Sequence, residues 1–155
     1  RELRNLKGRT VGMARFANSD HYISRLRDSL RLKSDDLFYA QINSYRIRLL
    51  MLQNEQIDCA VLPEPYASRA LAEGNVRLSA ARSAEMQMSL FLRQRTLRNK
   101  RHRDQAQLLQ KAYNLAVAAI NKGRTPHLDT VLVRDYQVPA NQLSAIRLPH
   151  YEPAH

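Results

Sequence analysis

The chain has a single cysteine, four glycines and no tryptophan. It has no apolar run near the ~20 residues that a membrane-spanning helix needs. Each scarcity excludes something. Cys59 cannot form an internal disulfide, and a two- or four-cysteine metal centre is ruled out. Set inside an apolar run, it reads as a buried, inert thiol. The histidines, His21, His102, His127, His150 and His155, are scattered with no H-x-x-x-H or H-E-x-x-H spacing, which argues against a metal site. No G-x-S-x-G, P-loop or G-x-G-x-x-G segment occurs, and no base–nucleophile pair stands out. The expectation is a chain that is not an enzyme and uses no cofactor. Arg1-Glu2-Leu3-Arg4 carries charge with no apolar stretch behind it, which is not a signal-peptide pattern.

What is present is 155 residues, 44% of them apolar, enough for one domain or two small lobes with a core. The formal charge of +11 favours anionic partners: nucleic acid, anionic lipid or a small anion. The densest cationic cluster is Arg93, Arg95, Arg98, Lys100, Arg101 and Arg103. No aromatic residue interleaves it as a base-stacking platform requires, so a solvated basic face is favoured over a nucleic-acid site.

Elements follow from spacing. Thr10 to Ala14 reads as a short strand, and Asn18-Ser19-Asp20 as the N-cap of a helix near residues 20–31. Tyr22, Ile23, Leu26 and Leu30 recur on one face of that helix. Leu37 to Ile42 reads as a second strand. Asn43-Ser44 caps a helix near 44–54, with Ile47, Leu50 and Met51 inward and Arg46 and Arg48 elsewhere. Ile57 to Leu62, almost continuously apolar, predicts a third strand buried on both faces. A helix near 64–73 stops at Gly74. This alternation predicts an α/β fold with a parallel sheet flanked by helices and right-handed crossovers.

The second half reads differently. Val76 to Ser79 and Met86 to Leu92 are expected to be strands. A long helix near 103–122 is expected to bury Leu108, Leu109, Ala112, Tyr113, Ala116, Val117 and Ile120 and to end at Gly123. Pro126 opens another helix near 127–136. Pro139, Pro149 and Pro153 mark an irregular tail.

Parallel strands place all three strand-to-helix loops on one sheet edge, where open α/β sheets bind ligands. The candidate ligand-binding residues are therefore Asn18, Ser19, Asp20, Asn43, Ser44, Tyr45, Glu64 and Tyr66. Each also has a plain reading. The first three can simply cap a helix, and Asp20 would repel an anion there. Asn43 and Ser44 carry the same ambiguity, and Tyr45 either stacks on a ligand ring or packs on the next helix. Glu64 suits a helix start in any case, where the macrodipole stabilises a carboxylate.

Leu6-Lys7-Gly8-Arg9-Thr10-Val11-Gly12, Gln56-Ile57-Asp58-Cys59-Ala60 and Val61-Leu62-Pro63-Glu64-Pro65-Tyr66-Ala67 together resemble the second lobe of bacterial solute-binding proteins. The group resembled is the nitrate/sulfonate/taurine and thiamine-precursor family that serves ABC importers. The resemblance covers residues 6–74 well and continues loosely through Ala112 to Ala116 and Leu148 to Tyr151. It departs at Glu55, where the family has Gly, so a slightly reshaped turn is expected. The resemblance implies a periplasmic-binding-protein-like lobe at residues 6–85. Residues 86–155 would be a crossover strand and helices belonging to a first lobe that lies largely outside this chain. It implies capture of a small polar or anionic solute and delivery to an ABC permease. It also implies a periplasmic or cell-surface lipoprotein, and Glu64 as an acceptor for a ligand N–H. The 103–122 helix would then need cover from the 6–85 sheet or from a second chain in a homodimer. The same lobe architecture serves as the effector domain of LysR-like transcription regulators, the alternative reading. Thiamine-pyrimidine synthases of the same family need a His and Cys cluster that is not found in this sequence.

Overall fold

The computed structural model describes residues 6–80, 91–123 and 125–154. Within them the chain is a mixed α/β fold. The elements in order are β1 (Arg9–Met13), α1 (Asn18–Ser29), β2 (Leu37–Gln41), α2 (Tyr45–Gln53), β3 (Cys59–Ala60), α3 (Tyr66–Ala72), α4 (Lys100–Lys122) and α5 (Pro126–Arg134). Short 3-10 turns occupy Ser34–Asp36, Thr96–Arg98 and Ala140–Ala145. The chain divides into two compact units, Arg1–Met86 with Asn141–Arg147, and Gln87–Ala140 with Leu148–His155.

The first unit is built on a three-stranded parallel sheet in the order β2-β1-β3. β1 is central because its register serves both neighbours: Val11 lies opposite Tyr39 on one side and Cys59 on the other. Val11 and Met13 are buried on one face with Leu6, Ile23 and Leu37, under α1 residues Tyr22 and Leu26. Gly12 faces the other side, beneath Ile57, Arg48 and Ile42. The sheet therefore carries helices on both faces. A Cβ on Gly12 would lie 2.6 Å from Ile57 Cδ1 and 3.0 Å from Arg48 Cγ, so the close approach needs glycine.

β3 differs from expectation. Its regular part is two residues, although Asp58 N–H to Thr10 O and Val61 N–H to Gly12 O (3.1 Å each) extend the pairing by one residue at each end. It pairs on one side only, and Cys59 to Leu62 are half-buried. Its apolar run reflects packing on the first core, not a position inside the sheet. Asp58 pins its start, accepting from Thr10 N (2.8 Å) and Arg9 Nη1 (2.9 Å). Those partners, the Thr10 N–H foremost, hold its carboxyl below the usual carboxylate range.

Several boundaries need correction. α1 starts at Asn18, two residues early, with Ala17 at the N-cap and no side-chain cap. α2 buries Arg48 and Leu49 while Ile47 and Leu50 are exposed. Glu55 takes the left-handed conformation itself, φ +57°, in the turn before β3. Residues 76–79 form no strand. Most of the strand expected at 86–92 lies outside the described residues, and Phe91 and Leu92 are not in a strand. Gly74, at φ +89°, terminates α3 as expected, its N–H on Leu71 O (3.1 Å) and Asn75 N–H on Ala70 O (2.9 Å). The 141–147 segment belongs with the first unit, where Arg147 N–H donates to the buried Ser68 Oγ at 3.0 Å.

The second unit contains α4 and α5. Asn99 caps α4, and Thr125 caps α5 with Pro126 in its first turn. Of the residues expected to lie buried on α4, only Val117 does; Leu108, Leu109 and Tyr113 are exposed. No helix among the described residues is long and apolar enough to cross a membrane.

Candidate functional site

With the order β2-β1-β3, the chain leaves β1 toward one side and then crosses to the other. The switch falls between β1 and β3, where doubly wound sheets open a crevice at their carboxyl ends. The loops there are 14–17 after β1 and 61–65 after β3, with the 42–44 loop after β2 alongside.

The first loop is held by its own helix. Ser19 is buried; its hydroxyl donates to Ala14 O (2.8 Å) and accepts from Ala14 N (3.1 Å). Asp20 accepts from Phe16 N at 2.9 Å. Both side chains thus serve the turn, and the single Ser19 proton is already used. Their observed partners are within the loop, which they shape. Asn18 is exposed at the helix start. The turn they build presents Phe16, which is 97% exposed at φ +57°, a conformation that β-carbons disfavour. An aromatic side chain held outward at the switch point is a site candidate that the residue spacing did not reveal.

Around the second and third loops the central group is Arg48. It is 0% exposed. Its Nε and Nη2 donate to Ile42 O at 3.1 and 2.7 Å, and Nη1 donates to Val61 O. One side chain from α2 thus ties the exit of β2 to the exit of β3, passing over Gly12 of β1. No carboxylate neutralises it in any described ion pair. Burial pushes its pKa down, opposed by Tyr45, but a guanidinium remains charged. The Tyr45 ring lies 4.9 Å from its Cζ, within cation–π range. Tyr66 stands next to Tyr45, ring centroids 6.0 Å apart and tilted by 35°.

The remaining predicted residues divide. Ser44 caps α2, accepting from Ile47 N at 3.4 Å, and Asn43 accepts from Gln41 Nε2 at 3.2 Å. Glu64 Oε2 accepts from Ser68 N (3.0 Å), and Oε1 lies 3.6 Å from Arg77. Its carboxylate is engaged with α3 and Arg77, so capping accounts for its position. The Glu64–Pro65 peptide is cis. The structure therefore brings Tyr45 and Tyr66 together, with Tyr45 against Arg48, while Ser19, Asp20, Ser44 and Glu64 are engaged in local hydrogen bonds.

Arg48 was legible in principle. Tyr45, Arg48, Leu49 and Leu52 share one face of α2 at helical spacing, as do Ile47, Leu50 and Met51 on another. The arginine made its own face read as solvated, which left the Ile47 face as the apparent buried one.

A buried cation under the Tyr45 ring, with the Tyr66 ring alongside, can hold and orient a ligand. Among the described residues no group of three His, Cys, Asp or Glu is placed to hold a metal. No protein-family model, curated protein or solved structure matches the chain. The family resemblance therefore rests on the motif residues alone.

Proposed function

We propose that this chain is one wall of a solute-binding protein, the capture component of an ABC importer working in the periplasm or at the cell surface. The carrying observation is the sheet edge: three parallel strand ends, with the Tyr45 ring against a buried Arg48 that no described ion pair neutralises, and Tyr66 beside Tyr45. Three residue motifs that resemble the second lobe of such proteins support the reading. The periplasmic-binding-protein-like lobe of residues 6–85 is part of the same proposal. A small polar or anionic solute would lie against Phe16, Tyr45 and Tyr66, with the positive field of Arg48 beneath it. A second lobe would close over the solute, and the closed form would dock on the permease. The reading calls for binding, not catalysis.

Isothermal calorimetry on the intact gene product, with nitrate, sulfonates, pyrimidines and amines, tests this. Saturable binding of one class, weakened by Tyr45→Ala, is expected. No heat with any of them overturns it. A winged-helix segment encoded upstream of Arg1 would replace it with the LysR-like effector reading.

A further inference from the structure

The long α4 carries a second face that the unit does not use. One side of the helix is covered by the carboxyl-terminal tail. Gln110 Nε2 and Asn114 Nδ2 donate to Ala154 O, Tyr113 Oη donates to Glu152 O, and Asn121 Nδ2 donates to Tyr151 O. Val117, the buried residue of α4, lies on that side. On the opposite side Leu108, Ala112, Leu115 and Ala119 follow one another at steps of four, three and four residues. This is the a/d seam of a coiled coil. All four are exposed, Leu108 by 67% and Leu115 by 64%.

Charge frames this seam. Lys111, one residue before Ala112, flanks the seam, and Lys122, three residues past Ala119, continues its spacing at the carboxyl end. Arg101 extends the seam at its amino end, next to a shallow depression lined by Lys100, Arg101, Asp104, Gln105 and Leu108. Just upstream, Arg93, Arg95 and Arg98 are exposed. The helix has five Lys or Arg against one Asp, and no described ion pair involves any of them.

We infer that this face of α4 is a docking surface for an acidic amphipathic helix of a protein partner. Three features select that occupant. A helix partner is favoured because the seam alternates Leu with Ala, so that another helix can approach closely. A helix lying on a membrane needs a face of bulky apolar residues, whereas Ala112, Ala116 and Ala119 break up this one. An acidic partner is favoured over a second copy because two such helices, parallel or antiparallel, would set Arg101 and Lys122 at the seam ends against like charges. Glutamates flanking the partner's seam would meet Lys111, and acidic residues at its ends would meet Arg101 and Lys122.

The test uses the whole chain and a fluorescein-labelled synthetic helix of about 21 residues, with Leu at a and d and Glu at the flanks. Anisotropy is read at two salt concentrations against the same peptide with Lys at the flanks. The acidic peptide is expected to bind at least about tenfold tighter. Leu108→Lys with Leu115→Lys should remove that binding, and Lys111→Glu should weaken it by about threefold while reducing its salt dependence. These positions are exposed, and circular dichroism of each variant confirms that it is folded. Equal binding of both peptides, no binding, or binding unchanged by the double variant overturns the inference. So does capture by phosphatidylglycerol vesicles that displaces the peptide, or a dimer in sedimentation that the double variant dissolves.

Discussion

The two units treat apolar residues in opposite ways. The first wraps them around a sheet: Leu6, Val11, Met13, Ile23, Leu37, Leu49, Ile57, Ala70 and Ile146 are buried there. Among described residues of the second, only Val117, Leu132 and Val138 are, while Leu108, Leu109, Leu115 and Val133 remain exposed. The difference comes from geometry. A central strand offers two faces, and each is closed by a helix within about 35 residues of chain. A 23-residue helix offers every direction at once, and a short tail covers one of them. Side-chain change should therefore cost much in the first unit and little on the open face of the second.

The largest effect is expected from Arg48→Ala. It leaves the carbonyls of Ile42 and Val61 without their donor and opens a hole over Gly12. A loss of about 3 kcal/mol in urea unfolding follows. A loss below about 0.5 kcal/mol would mean that water replaces the guanidinium and that the unit is not closed there. Next comes Gly12→Ala, at about 2 kcal/mol, because the new methyl overlaps Ile57. Ile57→Val removes the overlapping Cδ1, and the double variant should recover part of the loss.

Asp58→Asn should cost about 1 kcal/mol at neutral pH by weakening the hold on Arg9 and Thr10. Its folded pKa lies below the unfolded value of about 3.9. The stabilisation is thus present above that value and lost as pH falls through the folded one. The acid limb of a thermal-stability profile should be shallower in the variant. Glu55→Gly should raise stability by up to about 1 kcal/mol, since glycine adopts φ +57° without the β-carbon penalty. Smallest of all, Leu115→Gln in α4 should shift stability by less than about 0.5 kcal/mol. A large loss there would break the contrast between the units.

The sequence was most readable where two signals agreed. Alternating strand and helix patterns, bounded by Ser44, Gly74, Gly123 and Pro126, placed the elements of both units to within a few residues. It was least readable where one helix carried two faces of similar period. In α2 the Arg48 face competed with the Ile47 face. In α4 the stripe through Leu108, Leu109 and Ala112 read as buried, and the side facing the tail is marked by amides. Candidate residues at helix starts were equally ambiguous. Ser19 and Glu64 have side chains fit for ligands, but an unpaired N–H in the first turn lies closer than any solute. Nothing in composition signals Phe16, whose exposure depends on the turn that Ser19 and Asp20 impose.

The single thiol offers a way to watch the sheet from inside. Cys59 sits half-buried on the edge strand, and burial, with the Asp58 charge nearby, pushes its pKa up. Alkylation at neutral pH should wait for β3 to lift away from β1. Its rate, compared with that of an unfolded chain, gives the opening free energy of that one strand. A solute bound between the first and third loops would slow the reaction, so an unmodified chain carries its own occupancy clock.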